Sequence, residues 1–191
     1  VFERLSDSND YYLGPNGELN YATSTMLRDY AHVNLLSEEE LRSIETSYQV
    51  VNDYLEQKNI NFYYFQCWDK HSIYPEYFME GVNQYGEISS TDQIVNALVE
   101  NTTVNVISPK ELLISVKGEY GTYSVWGDAT HWNQRGAYIS YLMLMNEINE
   151  ETGKNYKVLQ EDDYQITLKD QGSTMFGGVH EIDYQEDFII I

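Results

Sequence analysis

The chain has 191 residues, enough to bury the core of one domain without requiring a second. Its 31 acidic residues against 11 basic ones give a formal charge of −20, which repels nucleic-acid phosphates and anionic lipid and argues against either as a partner. Cys67 is the single cysteine, so an intrachain disulfide framework and a cysteine-based zinc or iron-sulfur site are excluded, and no apolar run approaches the roughly 18 residues of a membrane span.

The N-terminus shows no basic-then-apolar signal. A start at Val1 fits a processed export signal, a trimmed anchor or a cut chain. Tyr11 to Leu13 and Glu18 to Tyr21 flank Gly14-Pro15-Asn16-Gly17, and Asn-Gly between apolar runs predicts a small β-hairpin. Ser37 followed by Glu38, Glu39 and Glu40 predicts a helix with Ser37 as N-cap, Glu40 completing a capping box and Leu36 stapled to Leu41. Leu41, Ile44, Tyr48, Val51 and Leu55 recur at helical spacing and give this helix one apolar face up to about Lys58, where Asn59 ends it. Phe62 to Trp68 is aromatic on successive positions, as in a strand buried on both faces. A helix leading straight into such a strand suggests parallel α/β winding.

After a polar loop the pattern repeats: Thr91 to Glu100 has helical spacing, and Val104 to Ile107 is a short β-branched strand. Lys110 to Lys117 is expected as a short helix after Pro109. Asn133 to Glu151 carries Ala137, Tyr138, Tyr141, Leu142, Met145 and Ile148 on one face and closes near Gly153. Strands are then expected over Tyr156 to Leu159, Tyr164 to Leu168 and Phe188 to Ile191. There is no internal repeat or low-complexity tract.

The segment with chemistry is Gly127-Asp128-Ala129-Thr130-His131-Trp132-Asn133, which opens the helix after it. An aspartate three residues before a histidine can bond one ring nitrogen, fixing the tautomer and leaving the other nitrogen to take a hydroxyl proton. His131 would be the base and Asp128 its orienting carboxylate. On spacing alone a structural histidine satisfied beside a helix cap is the commoner outcome. Trp126 and Trp132 flank the pair and could wall an acyl or sugar site, or simply pack the loop; with 18 tyrosines they also invite a sugar-stacking reading.

Gly-Asp-x-x-His-Trp-Asn-x-x-Gly-Ala resembles the Asp-His motif of bacterial SGNH-hydrolase-like proteins related to alginate O-acetylation, the AlgX and AlgJ group, and their Asp-His-His-Trp relatives. Gly14 to Leu19 resembles that group's opening Gly-x-x-Gly-x-Leu turn. Ile60 to Tyr64 followed by Asp69-Lys70-His71-Ser72-Ile73-Tyr74-Pro75-Glu76 resembles its strand and Pro-x-Lys-x-x-Ile-Tyr-Pro loop. Two departures stand out. The group's aspartate commonly precedes the histidine by two residues rather than three, so either Asp128 acts from one residue further back or Ala129 occupies the ancestral position. The group also places a Gly-Asp-Ser nucleophile after the Asp-His segment, and no Gly-Asp-Ser occurs in this sequence. Ser173 is the only late serine and lacks a preceding apolar strand, so the chain is expected to stop short of the nucleophile or to have lost it.

The resemblance implies an SGNH or flavodoxin-like α/β fold, a three-layer sandwich with a mainly parallel sheet and a small N-terminal hairpin, in one domain over residues 1–191 that is incomplete at its C-terminus. It implies acyl-ester chemistry, O-acetyl transfer or deacetylation, on a cell-envelope or exported polysaccharide, outside the bacterial cytoplasm, with an envelope protein as a further partner. Asp128 and His131 would be catalytic, and Trp126, Trp132, Asn133 and Lys70 would face substrate. Lys70 would position a substrate or a loop carbonyl, against the alternative of a solvated lysine. The rival reading is a non-catalytic envelope or glycan-binding module with the same fold. No cofactor is expected, and Asp69, His71 and His131 are too few to make a metal site. Cys67 is read as an inert core thiol, His71 as a polar loop residue, and His32 and His180 as surface residues.

Overall fold

The Asn16-Gly17 turn folds as its composition dictates. β1 (Tyr11–Leu13) pairs antiparallel with β2 (Leu19–Tyr21), Tyr11 opposite Tyr21, and Gly17 takes a φ of 91° that a side chain would resist. The Glu18 carboxylate accepts from the Asn16 amide at 2.8 Å, which ties the turn to its own strand. The computed structural model describes residues 10–118, 121–125 and 128–163, and the backbone of the strands over 165–176 and 180–190. By contacts the chain divides into two units, one made of Val1–Thr23, Trp68–Gly81 and Pro109–Ile191, the other of Ser24–Cys67 and Val82–Ser108.

The second unit begins with α1 (Ser24–Tyr30), which the periodicity does not announce, followed by α2 (Glu38–Glu56). The predicted capping box is present: Ser37 Oγ accepts from the Glu40 amide and the Glu40 carboxylate accepts from the Ser37 amide. Asn59, at φ 57°, stops the helix in the left-handed region. Tyr48 on the apolar face meets Phe62 and Tyr64 at ring-centroid distances of 6.3 and 5.2 Å. That face is only half-buried, with Val51 exposed, and the buried residue of α2 is Asn52, whose amide donates to Thr103 Oγ1.

β3 (Tyr63–Phe65) and β4 (Asn105–Ile107) form a parallel pair, Tyr63 opposite Asn105, with α4 (Ser90–Asn101) between them in sequence. The strand expected over seven residues pairs over three, because β4 offers no longer ladder, and its side chains are half-buried rather than sealed on both faces. Cys67 follows as an exposed residue, which corrects its assignment to the core: it lies past the ladder's end, where packing no longer covers it. Desolvation still pushes its thiol above the ordinary value, which disfavours the nucleophilic thiolate. A second capping box, Ser89 with Asp92, starts α4. Ser89 is buried and its hydroxyl accepts from the Asp92 amide at 3.2 Å, so Ser89→Ala is expected to lower stability by about 1–2 kcal/mol in urea unfolding.

In the first unit, α3 (Lys70–Ile73) and a one-turn 3-10 helix (Pro75–Tyr77) occupy what reads as a polar loop. His71 there is buried with its ring 5.8 Å from that of Phe78, a core position rather than a loop surface. α5 (Lys110–Val116) and α6 (Gln134–Thr152) fall where expected, and Gly153 closes α6 at φ 62°. Tyr156 to Leu159 forms no strand because its backbone groups are taken by α6. Asn149 accepts from the Tyr156 amide and donates to its carbonyl, at 2.8 and 3.0 Å, and the Leu159 amide donates to the Tyr141 hydroxyl at 3.0 Å. β5 (Gln165–Phe176) and β6 (His180–Ile190) form an antiparallel pair. The chain is thus mixed α/β, and its described strands make three two-stranded sheets, of which β3 with β4 is parallel.

Candidate functional site

The stretch that leads into the Asp-His segment is held from below by a tyrosine. Tyr74 is buried, and its hydroxyl accepts from the Thr122 amide at 3.1 Å and lies 3.1 Å from Thr122 Oγ1. Beside it the Tyr123 hydroxyl donates to the Trp68 carbonyl at 2.7 Å. Leu19 of β2 donates its amide to the Val125 carbonyl at 2.9 Å. The hairpin, the segment around α3 and residues 121–125 are therefore bound together by hydrogen bonds to buried backbone, the kind of contact that costs most to leave unmade.

Asn133 closes the loop that follows. It is the N-cap of α6, its side-chain oxygen accepting from the Gly136 amide at 3.0 Å. The same side chain donates to the Gly121 carbonyl at 2.8 Å, and its own amide donates to the Thr122 carbonyl at 3.0 Å. Tyr123 and Trp132 add an antiparallel bridge across the neck. Gly136 is what lets α6 come this close: a Cβ there would stand 2.3 Å from the Thr122 carbonyl oxygen.

Within the loop the Asp128 carboxylate faces His131. Oδ1 accepts from the amides of Thr130 and His131, each at 2.8 Å, and both carboxylate oxygens lie 3.1 Å from His131 Nδ1. A carboxylate can only accept, so Nδ1 carries a proton, and in the neutral imidazole Nε2 then keeps its lone pair. Thr130 Oγ1 also reaches Nδ1 at 3.1 Å. Among the described residues no hydrogen bond is made to Nε2, and the His131 side chain is 78% exposed. Burial would raise the Asp128 pKa, but the His131 and Thr130 amides and the His131 side chain outweigh it and hold the carboxyl below its ordinary range. Ala129, the competing position, is buried against Leu19 and has no group to offer the imidazole.

A carboxyl with a lowered folded pKa contributes stability above its unfolded value of roughly 4, and that contribution is lost as pH falls through the folded value. The stability gap between the wild type and Asp128→Asn is therefore expected to be wide at pH 6 and to narrow toward pH 2. With the Asp128 side chain 44% exposed, solvent screening keeps the gap under about 1 kcal/mol. Chemical unfolding at both pH values checks it.

Lys70 is 1% exposed, not a solvated lysine. Its ammonium donates to the carbonyls of Leu19, Val125 and Asp128 at 2.8, 3.1 and 3.3 Å. Trp132 is half-buried beside the neck. Trp126 and Gly127 lie outside the described residues, and so do the side chains of Ser173 and His180. The backbone of Ser173 sits inside β5 opposite Asp183, just after the register shift that follows Asp170. His32 is partly buried at φ 56°, its Nδ1 2.7 Å from the Gly86 carbonyl oxygen. Tyr74 and Gly136 were not singled out by spacing; only their place inside the quoted motifs could have marked them. Among the described residues no three His, Cys, Asp or Glu side chains gather as a metal site.

No protein-family profile matches the chain, and no curated protein matches it by sequence. Solved structures do. A structure of PatB1 from Bacillus cereus with a sulfonyl adduct superposes with a TM-score of 0.65 at 17% identity over 95% of this chain and 57% of that one. A second PatB1 structure gives 0.63 at 15% identity, over 99% of this chain and 58% of that one. The O-acetyltransferase domain of AlgJ from Pseudomonas putida gives 0.55 at 12% identity, over 94% and 65%. The chain shares its fold with these structures. The chain spans less than two thirds of the length of these neighbours. No helix of the described residues is long and apolar enough to cross a membrane.

Proposed function

We propose that this protein performs acyl-ester chemistry, O-acetyl transfer or the corresponding deacetylation, on a cell-envelope or exported polysaccharide. The observation that carries the reading is the Asp128 carboxylate against His131 Nδ1, with no described residue bonded to Nε2, in a fold similar to the AlgJ O-acetyltransferase domain. In this reading the residues belong to a single SGNH-type domain, a three-layer sandwich with a mainly parallel sheet, acting outside the cytoplasm with an envelope protein as partner.

A serine hydroxyl attacks the acetyl carbonyl carbon while Nε2 takes its proton; the imidazolium, steadied by Asp128, returns that proton to the departing alkoxide. A sugar hydroxyl or water then gives its proton to Nε2 and attacks the acyl-serine, and the proton passes to the serine as it leaves. No residue is assigned as that serine, since the 191 residues contain no Gly-Asp-Ser. Trp132 and Trp126 would border the sugar, and Asn133 and Lys70 would keep the loop in place.

The full gene product, given an activated acetyl ester and an acceptor oligosaccharide, is expected to yield acetylated sugar as a transferase or free acetate as an esterase. A preparation that binds the glycan but produces neither would return the protein to a binding module.

A further inference from the structure

We propose that Lys70 is a positioning residue for the Asp128–His131 pair, its buried ammonium holding the Asp128 carbonyl from a base made by the Leu19 and Val125 carbonyls. The proposal rests on the acyl-transfer reading for its catalytic consequence, but its geometry stands independently.

A lysine is seldom fully buried, since a charge taken out of water must be repaid by partners. At Lys70 three N–H donors meet three carbonyl oxygens drawn from β2, from the stretch before the loop and from the loop itself. The main chain of the same residue adds a fourth tie, the Lys70 amide donating to the Thr130 carbonyl at 2.8 Å. One residue thus grips the loop at the two peptide oxygens that flank Ala129, which is itself buried against Leu19. The Asp128 carboxylate projects from the backbone fixed in this way and has no long flexible stem with which to make up a shift. Small displacements at a general base are costly, because reactivity depends on sub-ångström placement. A lysine serving only to fill the core would affect stability alone; one that places the loop should also set how firmly the carboxylate meets the ring.

The test uses the full gene product and two substitutions: Lys70→Met, which keeps the stem and removes the donors, and Leu113→Ala, which removes buried apolar volume from α5 in the same unit. Lys70→Met is expected to lower kcat roughly 10–100-fold with KM little changed, to return the Asp128 carboxyl titration toward its ordinary midpoint, and to broaden the His131 Nδ1 proton signal. Leu113→Ala should leave both nuclear magnetic resonance signatures intact. An unaltered Asp128 titration in Lys70→Met, or the same change in Leu113→Ala, overturns the proposal. If Lys70→Met does not fold, the wild type decides: a hydrogen-bond coupling between Lys70 Nζ and the Asp128 carbonyl carbon is expected, and its absence overturns the idea. A protein inactive on every acetyl ester whose resonances still respond to Lys70→Met would sink the acyl-transfer reading and leave the positioning role standing.

Discussion

His131→Ala is expected to reduce acetyl turnover by the full gene product about 10²–10⁴-fold, the usual contribution of a general base. Folding should be little affected, because the imidazole is exposed and its loss leaves the Asp128 carboxylate still capped by the Thr130 and His131 amides. Asp128→Asn should cost a comparable factor for a different reason: an amide can donate to Nδ1, which favours the tautomer with its proton on Nε2 and removes the base. Since the two side chains act as one unit, the double variant should be little worse than His131→Ala alone. Steady-state rates with acceptor sugar present and absent measure all three. Equal rates for the wild type and His131→Ala would end the acyl-transfer reading.

The second large effect is structural. In an ordinary helix Gly→Ala gains about 1 kcal/mol from propensity. At Gly136 the sign should reverse. The added methyl would stand 2.3 Å from the Thr122 carbonyl oxygen and 3.0 Å from Trp132 Cβ, and a backbone oxygen cannot swing away as a side-chain end can. The first turn of α6 must back off, straining the Asn133 cap and its bond to Gly121. Overpacking and a weakened cap together are expected to cost about 2–4 kcal/mol, seen as a lower urea midpoint. Gly118→Ala, with nothing within 4 Å of its added methyl, should be close to neutral.

What the sequence disclosed follows a physical line between local and distant causes. The Asn16-Gly17 hairpin, the Ser37 capping box and the Asn133-to-Gly153 helix are written in residues a few positions apart, and each formed where expected. Lys70 and His71 look like loop polars in one dimension, and the burial of Lys70 depends on β2 and on the loop before α6, which lie far away in sequence. The Tyr156 to Leu159 run has strand composition but loses its backbone bonding to Asn149 and Tyr141, a competition that no window over the run itself can reveal. Cys67 misled because its aromatic neighbours suggested a longer ladder than β4 can supply. The Asp128–His131 contact was legible from spacing and motif; the scaffold of Tyr74, Thr122 and Gly136 beneath it was not, because it is built from hydroxyl and carbonyl contacts with no periodic signature.

The clasp formed by Gly121, Thr122, Asn133 and the Tyr123–Trp132 bridge ties both ends of the interval it encloses to the N-cap of α6. Lys70 and Leu19 hold the same interval from within, at the Val125, Asp128 and Thr130 carbonyls. Asp128 therefore meets the imidazole from a backbone braced on several sides, both carboxylate oxygens standing 3.1 Å from Nδ1.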